Sequence, residues 1–227
     1  MRAYVVSLAK RPERLAAFQA HLAETGLRAF IDVETFVGFD GSQLDLESLK
    51  PRISPSNLVM MSEGKLRGNL GCTLSHLELW RRIGEQAEPM LIMEDDARLE
   101  SGIDASMVAS ALERLPNDAD LVWLNSYNYG VRAGVGSRLR RKFARLTGAE
   151  IPRRKVTFGT MPDVLTTTEA YVIAPACARR LVTAVENDIG AVDRHIQLFN
   201  SRTRNRVYQA EPPLFGQADR AVSDTRA

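Results

Sequence analysis

Three consecutive carboxylates, Glu94, Asp95 and Asp96, follow directly on a short apolar run, Met90 to Met93, that is entered through Pro89. Such a run predicts a buried strand, and proline, with no N–H to give, suits a strand's first position. On an extended backbone side chains alternate, so Glu94 and Asp96 are expected on one side and Asp95 on the other. Two carboxylates projecting from a strand end make a hard-oxygen site of the kind that takes Mg²⁺ or Mn²⁺ together with substrate phosphates. A solvated acidic turn is the competing reading of the triplet alone, so the neighbouring sequence has to decide.

Other candidate groups are scattered along the chain. Arg11 and Arg14 stand just past a predicted strand's carboxyl end, within reach of a phosphate. Gly68 and Gly71 are expected to flank a helix start, where free N–H groups can bind an anion. Ser75 and His76 fall in the first turns of that helix, where a lone histidine is more often a packing residue than a catalyst. Asp193 stands at an expected capping position of a late helix.

The elements that must position these groups follow from the pattern. Residues 2–8 read as a buried strand. Pro12 and Glu13 open a helix that Gly26 ends, with Leu15, Phe18, Leu22 and Ala23 as its inward stripe. Ala29 to Val37 is expected to be a second strand, closed by a turn at Gly38–Gly41. This order is a βαβ unit with parallel pairing. Residues 51–69, rich in Pro, Ser and Asn, read as loop, and a helix follows over about 70–86. A helix at about 105–115, strands at 120–124 and 167–174, and helices from Pro175 and Val192 complete the reading. The tail from Glu211 reads as loop.

At 227 residues the chain has room for one domain with a full core, expected over 1–227. No stretch is apolar enough to span a bilayer, and the first apolar run is too short for a signal peptide. Cys72 and Cys177 lie far apart among apolar or small residues, so two buried thiols in a reducing, cytoplasmic setting are expected. The net charge of +2 hides an asymmetry: residues 131–160 hold nine Arg or Lys against Glu150, net +8, which leaves −6 elsewhere. Within that basic insert Leu139, Phe143 and Leu146 share one face of a short amphipathic helix predicted over 137–147. That pattern suits an anionic membrane surface more than a general polyanion, and no nucleic acid partner is expected.

Taken together these features resemble glycosyltransferase family 25, which includes bacterial lipooligosaccharide galactosyltransferases and collagen galactosyltransferases. The specific matches are Gly71-Cys-Thr-Leu-Ser-His-Leu-Glu-Leu-Trp80 and Leu91-Ile-Met-Glu-Asp-Asp-Ala97. Tyr4 to Arg14, Asp40-Gly41, Glu169 to Ala174, Asp193 and Pro212 to Asp224 support them. The resemblance implies an α/β, glycosyltransferase A-like fold with a mostly parallel central sheet flanked by helices. It also implies inverting transfer, with UDP-galactose as the commonest donor and β-galactosyl transfer as the expected reaction. The acceptor is then a glycan or lipid-linked sugar, as in lipooligosaccharide or surface polysaccharide biosynthesis, met at the inner face of the cytoplasmic membrane. On this reading Ser7, Arg11, Arg14, Asp40, Gly41, Ser75, His76 and Asp95 bind the nucleotide sugar. Glu94 and Asp96 hold Mn²⁺ or Mg²⁺. An inverting displacement needs a carboxylate to take the acceptor's proton; Asp193 is the candidate base and Glu169 the reserve. A metal-dependent nucleotide-sugar hydrolase or phosphotransferase, and a non-catalytic module binding anionic glycolipid, stay open beside it.

Overall fold

The structure, a computed structural model, describes residues 1–53, 55–125, 156–160, 167–203 and 205–218. The predicted helix over 137–147, the rest of the basic insert up to 155, and Ser223-Asp224 lie outside them. In chain order the elements are β1 (Arg2–Ser7), α1 (Pro12–Glu24), β2 (Asp32–Val37), α2 (Leu46–Leu49), α3 (Pro55–Met60) and α4 (Glu63–Gly84). Then come β3 (Met90–Glu94), β4 (Ala97–Leu99), α5 (Ala105–Glu113), β5 (Leu121–Trp123), β6 (Thr157–Thr160) and β7 (Ala170–Ile173). The described residues end with α6 (Pro175–Val185), α7 (Val192–Arg202), β8 (Val207–Glu211) and β9 (Phe215–Gln217).

Among the described residues, seven strands form one sheet in the order β2-β1-β3-β7-β5-β8-β6, and five of them run the same way; β7 and β6 run against the rest. The expected mostly parallel sheet is therefore present. Strand side chains alternate between two cores. Tyr4, Ile92, Tyr171 and Trp123 face one core with α4, α6 and α7. Ala3, Val5, Leu91, Met93 and Val122 face the other with α1 and α5. A sheet buried on both faces reads as continuous apolar runs, which is why β1 and β3 were legible. No helix of the described residues is long and apolar enough to cross a membrane.

Several boundaries differ from expectation. β2 starts at Asp32, because Leu27–Ala29 forms a 3₁₀ turn entered through Gly26 at φ 75°. Ala23 is exposed, and His21 takes its place on the inward side, where Nε2 accepts the Leu99 N–H at 3.1 Å. The expected loop over 51–69 holds α3 and the first two turns of α4. Leu66, Leu70, Leu77, Trp80 and Ile83 bury one face of α4, and that burial outweighs the helix cost of its glycines, about 1 kcal/mol each. β8, not expected from the sequence, joins the main sheet just ahead of the tail, and the tail is not all loop: β9 pairs with β4 as a two-stranded ribbon.

Candidate active site

Parallel pairing brings the carboxyl ends of β1 and β3 side by side, with Val6 opposite Glu94. Ligands of open α/β sheets bind at such ends. Here the ends open on a cavity of about 290 Å³. Ser7, Arg14, Asp40, Gly41, Ser75, His76, Glu94, Asp95 and Asp96 all line it. With Gly68, which also lines it, ten of the sequence-nominated residues thus meet at one place. Arg11 and Asp193 are not in the lining: Arg11 precedes α1 and lies 3.7 Å from Glu13.

The acid triplet does not stay extended. Glu94 ends β3, and Asp95 and Asp96 form a turn into β4, so the expected alternation fails. Asp95 and Asp96 both meet the Arg14 guanidinium, at 2.5 and 3.1 Å. Asp95 also accepts the Ser7 hydroxyl at 2.8 Å. Asp96 Oδ2 accepts the Gln217 amide at 2.9 Å, whereas its Oδ1 is buried with no hydrogen-bond partner among the described residues. A buried orphan acceptor on a carboxylate is costly unless something positive meets it. Burial, with the nearby charge of Glu94, pushes Asp96 up to about 6. Burial also raises Asp95, against the Ser7 hydrogen bond and the Arg14 charge. For Glu94 burial is overcome by His76, the Thr168 hydroxyl and Arg14, which hold it below the usual carboxylate range. Glu94 and Asp96 both line the cavity, and carboxylate oxygens are the donor type that Mg²⁺ or Mn²⁺ takes.

The cavity's other wall is α4 against the turn after β2. Because α4 starts at Glu63, Gly68 and Gly71 lie inside it, and the expected anion site at a helix start by these glycines is not there. Gly71 serves close approach instead. A Cβ on Gly71 would lie 2.6 Å from the Phe39 carbonyl oxygen, and one on Gly41 would lie 2.1 Å from that of Arg67. Ser75 seals this contact by accepting the Phe39 N–H at 2.8 Å and donating to the Gly71 carbonyl at 2.7 Å. Asp40 caps the 3₁₀ turn Gly41–Gln43 through Ser42 and pairs with Lys10 at 2.8 Å. The Lys10 hydrogen bond holds its carboxyl below the usual range. Phe39, 43% exposed in this lining, offers an aromatic face.

His76 is fully buried. Its Nδ1 lies 2.7 Å from the Tyr171 hydroxyl, which also accepts the Trp80 indole N–H at 2.9 Å. Its Nε2 lies 3.7 Å from Glu94 and has no hydrogen-bond partner among the described residues. The Thr168 hydroxyl donates to the same Glu94 oxygen.

Beyond Glu94 sits a second acidic group. Glu169 is buried and accepts the Asn125 amide at 2.7 Å and the Thr167 hydroxyl. Burial, then the charge of Glu94, pushes it up to about 8, so it carries a proton at neutral pH and is a poor base. Thr167 holds φ 74°, a left-handed conformation rare for a β-branched residue, and its N–H points to Asp193 Oδ2 at 3.3 Å. Asp193 is not the helix cap; Ala191 is. It is the second residue of α7, half-exposed, with Oδ1 accepting the Arg194 N–H at 2.7 Å. Its charge contributes to raising the Cys72 thiol, after burial and Glu94.

Cys72, Thr168, Asn125, Phe39 and Lys10 were not nominated from sequence. Cys72 falls inside the Gly71–Trp80 motif and could have been found there. Thr168 had no local signal; the antiparallel register of β3 and β7 brings it to Glu94.

Residues 1–196 match the family model described as Glycosyltransferase family 25 (LPS biosynthesis protein). A protein of Aedes aegypti named Glycosyltransferase 25 family member is 32% identical over 102 residues, covering 43% of this chain and 16% of that one. A protein of the same name from Anopheles gambiae is 28% identical over 151 residues, covering 58% and 25%. The chain thus spans a quarter or less of the length of these curated relatives. Among solved structures, apo mouse xyloside xylosyltransferase 1 is similar over 91% of this chain and 70% of that one, at 8% identity and a TM-score of 0.35.

Proposed function

The chain belongs to glycosyltransferase family 25, and from that premise we propose that it moves galactose from UDP-galactose to a glycan or lipid-linked acceptor, with inversion. The observation that carries this reading is the orphaned, buried Oδ1 of Asp96 beside Glu94 in a cavity walled by Ser7, Arg14 and Asp40. When bound at Glu94 and Asp96, Mn²⁺ or Mg²⁺ would neutralise charge developing on the leaving diphosphate. Arg14, already against Asp95 and Asp96, adds a fixed positive charge at the same end. Phe39 offers a stacking face to the base, and Asp40 an acceptor for ribose hydroxyls. On the acceptor side Asp193 is the better base than Glu169, because Glu169 is protonated and buried whereas Asp193 is half-exposed. It takes the acceptor's proton as the hydroxyl attacks the anomeric carbon.

The basic insert at 131–160 would bring the enzyme to an anionic membrane surface on the cytoplasmic side, where a lipooligosaccharide or surface polysaccharide precursor would be met. A thermal-shift screen of nucleotide sugars with and without Mn²⁺, followed by product analysis, tests the reading. UDP-galactose should raise the melting temperature only with the cation, and the product should carry a β linkage. Cation-dependent donor turnover that no acceptor stimulates would instead make the protein a nucleotide-sugar hydrolase.

A further inference from the structure

A second set of side chains with metal-ligating atoms lines this cavity. Cys72 and His76 are one turn apart on α4, so their side chains share a face. β3 brings Glu94 up to that face. The ligand atoms of the three residues lie within 4.8 Å of one another, and His76 Nε2 is 3.7 Å from Glu94 Oε1. Ligand atoms around a tetrahedral Zn²⁺ stand roughly 3.4–3.6 Å apart, given Zn–N, Zn–O and Zn–S bonds of about 2.0–2.3 Å. The His–Glu edge is already near that spacing.

His76 supplies an independent observation. It is fully buried, yet Nε2 has no hydrogen-bond partner among the described residues, and 3.7 Å is too long for a bond to Glu94. Its other nitrogen is held by Tyr171, the kind of outer contact that fixes a ligating imidazole. Binding at Nε2 leaves Nδ1–H to donate to the Tyr171 oxygen, which has two lone pairs and can accept it beside the Trp80 N–H. All three residues line the cavity, so a fourth ligand can enter from it.

We propose that Cys72, His76 and Glu94 form a site for a thiophilic divalent cation, Zn²⁺, distinct in chemistry from the all-oxygen set at Glu94 and Asp96. One sulfur, one imidazole and one carboxylate select Zn²⁺ over Mg²⁺ or Mn²⁺ by ligand softness. On binding, the Cys72 thiol releases its proton to solvent and the sulfur coordinates as thiolate. Because Glu94 belongs to both sets, Zn²⁺ here withdraws it from the hard cation and acts as a brake on transfer. That consequence rests on the transferase reading, whereas the binding itself does not.

The test uses the full chain, stripped with chelator and free of nucleotide, with Zn²⁺ titrated by calorimetry and Cd²⁺ by ultraviolet absorption. The wild type should bind one Zn²⁺ and develop a thiolate-to-Cd²⁺ band. Cys72→Ser, near-isosteric and checked for an unchanged melting temperature, should lose the band and bind Zn²⁺ at least tenfold more weakly. Cys177→Ser should keep both. Absence of the band from the wild type, or a Cys72→Ser variant that binds Zn²⁺ as tightly as the wild type, overturns the proposal.

Discussion

Replacing Glu169 with Gln tests the electrostatics of the site without any ligand. The carboxyl titrates near 8 in the folded protein, because it is buried and faces Glu94, against 4.5 for an unperturbed side chain. Between those values the folded chain holds a proton that the unfolded chain has released, so raising pH favours unfolding. Below 4.5 both states are protonated and nothing is lost; above 8 the loss is complete. Each pH unit between them costs about 1.4 kcal/mol, so going from pH 5 to pH 8 removes about 3–4 kcal/mol of stability through this one group. Glutamine mimics the protonated acid, still accepting from Asn125 and Thr167, and does not titrate. Urea unfolding of both proteins in EDTA at pH 5, 6, 7 and 8 isolates the effect, since shared contributions such as that of Asp96 cancel in the difference. The two should agree to about 1 kcal/mol at pH 5, and Glu169→Gln should be the more stable by about 3–4 kcal/mol at pH 8. Parallel curves would refute the reasoning. A variant less stable at every pH would mean that Glu169 is an ionised, paired carboxylate.

Asp96→Asn should leave the melting temperature near that of the wild type and abolish the Mn²⁺-dependent part of UDP binding, read by calorimetry; retained cation dependence would remove Asp96 from the cation site. Asp193→Asn should lower turnover at least about a hundredfold with donor affinity little changed. A fall in melting temperature with near-normal turnover would reduce Asp193 to an anchor for the strained Thr167 backbone. Gly71→Ala should cost about 1–3 kcal/mol by forcing α4 away from the Phe39–Gly41 turn, and UDP affinity should fall with it; chemical denaturation and calorimetry read the two. Replacing Arg138, Arg140, Arg141, Lys142 and Arg145 with Gln should weaken sedimentation with anionic liposomes and slow transfer to a lipid-linked acceptor, while sparing a soluble one.

What the sequence carried well was local. β1, α1 and β3 were legible because apolar runs and Pro12 act within a few residues. The first turns of α4 were not, because residues 51–69 are rich in Pro, Ser and Asn, and Gly64 and Gly68 add no helix propensity there. Gly71 stands where the turn after β2 comes within van der Waals distance of the helix, a reason that lies some thirty residues away. β4 and β9, three residues each, have no periodicity to read; they exist because Ala97 pairs with Gln217, which carries the Gln217 amide onto Asp96.

The charge balance of the site could not be read locally either. Glu94, Asp95, Asp96 and Glu169 converge because β1, β3 and β7 end there, and five such charges with Asp193 nearby would repel strongly. The fold relieves this unequally. Arg14 meets Asp95 and Asp96, Glu169 keeps its proton, and of the four only Glu94 is held below the usual carboxylate range, by His76 and Thr168 against its burial. A carboxyl held down in this way, beside one whose buried Oδ1 has no hydrogen-bond partner among the described residues, lines the cavity. Residue types alone nominated a cation site at this triplet. Its polarity is set by neighbours that only the sheet register brings together, so a variant of Thr168 or His76 should disturb cation binding without altering any acid.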